Sequence, residues 1–431
     1  MLLSMKKSNL LLFLILSLVL TCVLSAKNLR TGSDPRGTLL VSESLLINQT
    51  IKLDNYNSEI LSKDGLAIHS KNGHSYYYFP IGTSIASVPF VLLARIFGYE
   101  MSRDEATVQI GIAAVSSIAI VLLLINIAKL FIGEINSILI GSVFWFGSSL
   151  SSTSGTALWS HNFAVLFSLC GIYLLIKPSK LEMNFHPILI GICLFSAYLC
   201  RPTMAILAPL AILFCYTYSK ISSLKILACL CILLSIFMLF CVHEFNQLLP
   251  DYYLPSRLMG KDFYRALLGN LFSPARGLFI YSPFILVAWI CFKYSEKNWG
   301  LNYSWLLIGL VWPIIHLVFI SRFPHWWGGH SFGPRLMTDV LPGIFLLTLY
   351  TWPTEFKSCM AKITAGVLLT SCIFSILVNT GQGLYSKYTI LWNQEPNIDE
   401  NTEYLFDWHY PQFLASKSGH LLRILEHKSK P

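Results

Sequence analysis

The segment Ser321-Arg-Phe-Pro-His-Trp-Trp-Gly-Gly-His-Ser-Phe-Gly-Pro-Arg335 gathers Arg322, His325, Trp326, Trp327, His330 and Arg335, with glycines between them. A guanidinium such as Arg335 offers a planar fork of donors that matches a phosphate. The tryptophans could stack on a sugar, or mark an aromatic belt at a membrane surface, and glycine lets a backbone approach a ligand closely. The combination reads as a site for a phosphate and a sugar. Asp34, in Gly32-Ser-Asp-Pro-Arg36, is a carboxylate that could deprotonate a hydroxyl or hold a divalent cation. An Asp-Pro turn is the plainer reading. Arg36 stands beside it as a candidate ligand. Asp104 and Glu105 open an apolar run, where acids favour the helix dipole as readily as they serve chemistry. Asp339, about one turn into another apolar run, is a functional candidate by position, with an i, i+4 pair to Arg335 as the alternative. Arg276 sits at the mouth of an apolar run, where snorkelling explains an arginine, and Arg201 falls in a tight turn between two short runs, at Cys200-Arg201-Pro202. His161 at the head of a further run reads as a packing residue or a ligand.

These residues need elements to position them, and composition says what kind. The 431 residues are 54% hydrophobic and 12% charged, about half the charge of a soluble domain. Most of the 11 cysteines lie inside apolar runs, where cysteine packs as a small hydrophobe. No CxxC pair, P-loop or GxSxG elbow occurs, so structural zinc and soluble-type nucleotide chemistry are not indicated. The formal charge of +9 comes largely from lysines at the ends of apolar runs, an orientation signal and not a nucleic-acid stripe.

Crossing ~30 Å of hydrocarbon takes roughly 20 apolar residues. The first candidate covers residues 1–26; it reads as a retained anchor, with a signal peptide as the alternative. Further spans are expected near 106–130, 135–151, 157–176, 186–200, 203–218, 222–243, 277–293, 299–320, 336–352 and 361–379, about eleven in all. Residues 81–98, broken by Gly82 and Pro89 and carrying Arg95, read as an interfacial helix within a long loop, 27–105. With a cytoplasmic N-terminus, Lys129, Lys177, Lys180, Lys220, Lys225, Lys293, Lys297, Lys357 and Lys362 all fall inside, as the positive-inside rule requires. The expected class is therefore an all-α polytopic membrane protein. Its outer face carries loops 27–105, 244–276 and 321–335 and the tail 380–431, where function tends to collect.

Five features together resemble membrane glycosyltransferases of the GT-C type, a superfamily that includes protein O-mannosyltransferases and the lipid A aminoarabinose transferase. They are the early loop acid Asp34, Tyr76-Tyr-Tyr-Phe-Pro-Ile-Gly82, Ser273-Pro-Ala-Arg-Gly277, Trp326–Arg335, and the tail motif Trp392-Asn-Gln-Glu-Pro396, Asp407-Trp408 and Pro411-Gln-Phe413. The resemblance extends over most of the chain and is closest to bacterial family-39-like members. It implies a polyprenyl-phosphate sugar as donor, a glycan, lipid or protein acceptor, and a bacterial inner membrane with the tail on the periplasmic side. Asp34 would match the acid that positions or deprotonates the acceptor; Arg276 and Arg335 would hold the lipid phosphate. The sequence departs from the pattern at Pro35-Arg36, where relatives have an acid, and at 148–156, which carries no acids. Those departures favour a mechanism without a divalent metal or other cofactor.

Two other readings use the same residues. A flippase for lipid-linked sugars would want charged or broken helices at mid-membrane, and only Arg201-Pro202 hints at one. An O-antigen polymerase or ligase would want its large outer loop late in the chain, whereas here it is the first.

Overall fold

In the computed structural model, residues 7–291, 304–352 and 359–429 are described; Lys293, Lys297 and Lys357 lie outside them. The described residues are predominantly helical, with one two-stranded antiparallel sheet among them. It divides into two compact units. The first combines Met1–Asn28, Val121–Thr153 and Arg257–Pro431; the second combines Leu29–Ile120 and Ser154–Ser256.

Among the described residues, five helices are long and apolar enough to cross a membrane: Lys7–Leu24, Met101–Ala128, Ser160–Leu181, Lys220–Phe245 and Lys362–Tyr385. Glu134–Phe146, Pro187–Cys200, Pro202–Tyr216 and Ser304–Ile320, each expected as a span, are apolar but only 10–17 residues long. The reason is local. Backbone breaks fall where a span is expected to continue: a π-helical turn at Leu150–Ser154, a break at Ser282-Pro283, and a 3₁₀ turn at Arg335–Val340 ahead of Leu341–Thr351. Among the described residues, five of the expected spans are therefore long enough by themselves.

The Lys220–Phe245 helix turns large apolar side chains outward along its length, with Ile221 68%, Ile232 60% and Leu239 71% exposed. Water disfavours an apolar stripe of that extent.

The early loop is built, not merely interfacial. Helix Thr38–Asn48 packs on helix Gly82–Ile96, and the hairpin Ile68–Lys71/His74–Tyr77 turns at Asn72-Gly73. Both turn residues have positive φ, 52° and 79°, the conformation of a tight hairpin turn. Arg95, the one charge in the Gly82–Ile96 helix, donates to buried Glu43 of Thr38–Asn48, and Tyr56 also donates to that carboxylate at 2.9 Å. A charge is tolerated in this apolar helix because it is paired. Gly82 brings that helix against the Pro187–Cys200 helix: an added Cβ would stand 2.3 Å from the Leu199 carbonyl carbon.

Candidate functional site

In the second unit, residues 30–37 form a fastened turn around Asp34. Tyr77 Oη donates to the Asp34 main-chain carbonyl. Gln109 Nε2 donates to the Pro35 carbonyl at 3.2 Å, and the Arg30 amide donates to the Thr156 carbonyl at 3.0 Å. The Glu105 carboxylate accepts the amides of Gly37 (2.9 and 3.1 Å) and Leu39 (3.0 Å). Those are orphan donors at the start of Thr38–Asn48, so Glu105 caps that helix from another element. Gly37 has φ 96°, and an added Cβ would lie 2.3 Å from Leu66. The Asp34 side chain itself is only half-buried. Burial holds the Tyr77 phenol well above its ordinary range, so it stays a donor. Arg36 donates to the Asp64 carbonyl. Asp104 accepts the Glu100 amide at 3.0 Å and pairs with Arg103 at 2.8 Å, the helix-start role its position allowed. His161 is buried in the first turn of Ser160–Leu181, and Arg201 donates to Ser160 Oγ at 3.0 Å.

In the first unit, the 325–335 loop is clamped by Arg276, whose side chain is 1% exposed. Its Nε donates to the Trp327 carbonyl (2.7 Å). Nη1 donates to the Ala275 carbonyl (2.9 Å) and Gln412 Oε1 (2.7 Å), and Nη2 to the Gly329 carbonyl (3.0 Å) and Asn393 Oδ1 (2.8 Å). A guanidinium has five N–H donors, and all five are used inside the protein. Arg276, expected to hold a phosphate, here fastens the loop to the tail. Burial, with Arg335 nearby, pulls its pKa down to about 10. Gln412 Oε1 also accepts from Tyr281 Oη (3.2 Å) and the Gly333 amide (3.1 Å), while Asn393 Nδ2 donates to the Ser331 carbonyl (2.9 Å).

Trp326 and Trp327, expected as a sugar platform or an aromatic belt, are 4% and 8% exposed and pack in a core with Ala266, Ala275, Trp392 and Leu405. Trp326 lies on Gly269, where an added Cβ would meet the ring at 2.2 Å. Gly269→Ala should therefore destabilise the protein by about 1–3 kcal/mol, the usual cost of overpacking; an unchanged thermal midpoint in lipid nanodiscs would contradict this packing. Trp327 Nε1 donates to Asp399 Oδ1 at 2.7 Å, and His330 Nε2 lies 2.9 Å from Asn397 Oδ1 and 3.4 Å from Asp399 Oδ2.

What the loop leaves accessible is Arg335, half-buried with Nη2 donating to the Gly328 carbonyl at 2.9 Å, and the exposed His325 and His330. Gly328, Gly329 and Gly333 all have positive φ, 60–72°, so the loop's path requires them. Asp339 is fully buried in the 3₁₀ turn beside Thr338, whose hydroxyl lies 2.8 Å from Ser149 Oγ.

Sequence reasoning missed Gln412 and Asn393 as individual residues, although both stand inside quoted tail motifs. It also missed Tyr77 and the hairpin that carries it; the signal was Asn72-Gly73 between polar and aromatic residues. Among the described residues, no three His, Cys, Asp or Glu side chains converge on one point. No protein-family model matches this chain, and no curated protein is similar to it.

Proposed function

We propose that this protein is a GT-C-like glycosyltransferase that moves a sugar from a polyprenyl-phosphate carrier to a glycan, lipid or protein acceptor on the non-cytoplasmic face of a membrane. The observation that carries the reading is the half-buried Asp34 in a turn tied down through main-chain atoms. Such a group is held ready before substrate arrives, as acid–base catalysis needs. The acceptor oxygen bonds to the anomeric carbon as its proton passes to Asp34. The bond from that carbon to the phosphate oxygen breaks, and the electron pair leaves with polyprenyl phosphate.

Charge grows on the phosphate as it departs, and a preorganised cation stabilises it. Arg335 takes that role in the first unit; Arg276 holds the loop that presents it.

About eleven spans, with the short helices completing crossings through their flanking turns, a cytoplasmic N-terminus and an outer tail, accord with the lysine distribution and with the outward apolar face of Lys220–Phe245. A bacterial inner membrane and a metal-independent mechanism complete the proposal.

Arg335→Met should raise the KM for donor on the order of 10–100-fold, the effect of one charged hydrogen-bonding partner. It should also weaken product inhibition by undecaprenyl phosphate to a similar extent. Unaltered inhibition in the variant would take Arg335 off the phosphate.

A further inference from the structure

The hairpin has a second face of consequence. Tyr77 reaches back to the Asp34 carbonyl and to Thr38 Oγ1 at 3.0 Å, whereas its neighbour Tyr78 lines an open cleft in the same unit. Three half-buried rings meet there. Tyr78 and Tyr252 stand 5.5 Å apart, Phe79 and Tyr252 5.6 Å, and Tyr78 and Phe79 5.5 Å, all edge-to-face at 61–73°. Beside them Asp251 is held by Gln247 Nε2 at 2.9 Å, His69 Nδ1 at 3.2 Å and Lys71 Nζ at 3.8 Å. The carboxylate and the imidazole keep about 36% and 43% of their side-chain surface exposed.

We propose that this cleft, with Tyr78, Phe79 and Tyr252 as its walls and Asp251, His69 and Lys71 on its rim, binds a neutral saccharide. Aromatic faces take the C–H side of a pyranose ring, and a fixed carboxylate accepts from adjacent hydroxyls. Few polar groups set in an apolar hollow is the usual make-up of a small-ligand site. An acyl chain fits less well, because it would strip water from a charged rim without replacing its hydrogen bonds. A phosphate-bearing ligand would face Asp251. Since Tyr77, which anchors the Asp34 turn, adjoins Tyr78, the saccharide is the acceptor glycan; that last step rests on the transferase reading above.

The test is equilibrium binding by the full-length protein in lipid nanodiscs, with mannotriose, maltotriose and chitotriose as probes. At least one should bind saturably. Tyr252→Ala and Asp251→Asn should each weaken it about tenfold or more, while Tyr252→Phe, which keeps the ring, stays within about threefold. Lack of saturable binding to any of the three, or equal affinity in Tyr252→Ala and Asp251→Asn, overturns the proposal. So does displacement of the bound sugar by undecaprenyl phosphate, which would make the cleft a lipid site. Binding is read without turnover. Saccharide binding in a protein that transfers nothing therefore upholds the cleft and removes only its link to transfer.

Discussion

Asp34→Asn is expected to lower sugar transfer at least about 10²-fold, and up to about 10⁴-fold, the usual contribution of a positioned general base. The amide is nearly isosteric, so shape is kept and only proton acceptance is lost. The turn should survive, because the contacts to the Asp34 and Pro35 carbonyls and to the Gly37 and Leu39 amides are kept in the variant. Membrane insertion and thermal midpoint should therefore match wild type. Asp34→Glu should recover part of the activity, since the acid returns at a longer reach. Unchanged transfer in Asp34→Asn would take Asp34 out of the mechanism, leaving Asp104, Glu105 and Asp339 to be tested in turn.

The second large effect is on stability. Arg276→Met removes five donors from a buried network; Gln412 Oε1, Asn393 Oδ1 and the Trp327 and Gly329 carbonyls each keep another donor, while the Ala275 carbonyl loses its bond to the guanidinium. Each buried acceptor left unpaired costs about 1–3 kcal/mol, partly offset by relaxation. The loss of a buried, hydrogen-bonded charge is on the order of 3–5 kcal/mol in comparable cases. The expected outcome is a sharply lower thermal midpoint, with loop 325–335 newly open to proteolysis. Gln412→Ala should behave in the same direction but more mildly, because Asn393 and the carbonyls still receive Arg276. A variant that unfolds like wild type yet no longer binds donor would reverse the assignment and return Arg276 to the phosphate.

The contrast between Arg276 and Arg335 marks where sequence stops being informative. Spacing and composition predict helices at Ser160–Leu181 and Lys220–Phe245 because hydrophobic length is a local property. Helix Gly82–Ile96 is equally legible from its flanking glycine, Pro89 and Arg95, since those residues limit an apolar run whatever surrounds it. The partners of Arg276, by contrast, lie 117 and 136 residues away at Asn393 and Gln412. Nothing in Ser273-Pro-Ala-Arg-Gly277 says that its fork is already full. The tryptophans fail in the same way: a Trp pair among glycines looks like an aromatic platform, and only the tail residues Trp392 and Leu405 bury it. Glu105 is intermediate. An acid at a helix start invites a dipole reading, but the helix it caps is Thr38–Asn48, not its own. The glycines at 328, 329 and 333 invite a reading as room for a ligand, but their positive φ angles, which set the path of the loop, appear only in the fold.

The most direct measurement of the central claim is product analysis with purified wild-type protein in nanodiscs, supplied with a panel of polyprenyl-phosphate sugars and acceptors, with and without EDTA. The account predicts glycosylated acceptor and free polyprenyl phosphate in equal amounts, undiminished by EDTA. Intact donor after prolonged incubation with every combination, alongside movement of the lipid-linked sugar between leaflets in proteoliposomes, would contradict it and make the protein a transporter.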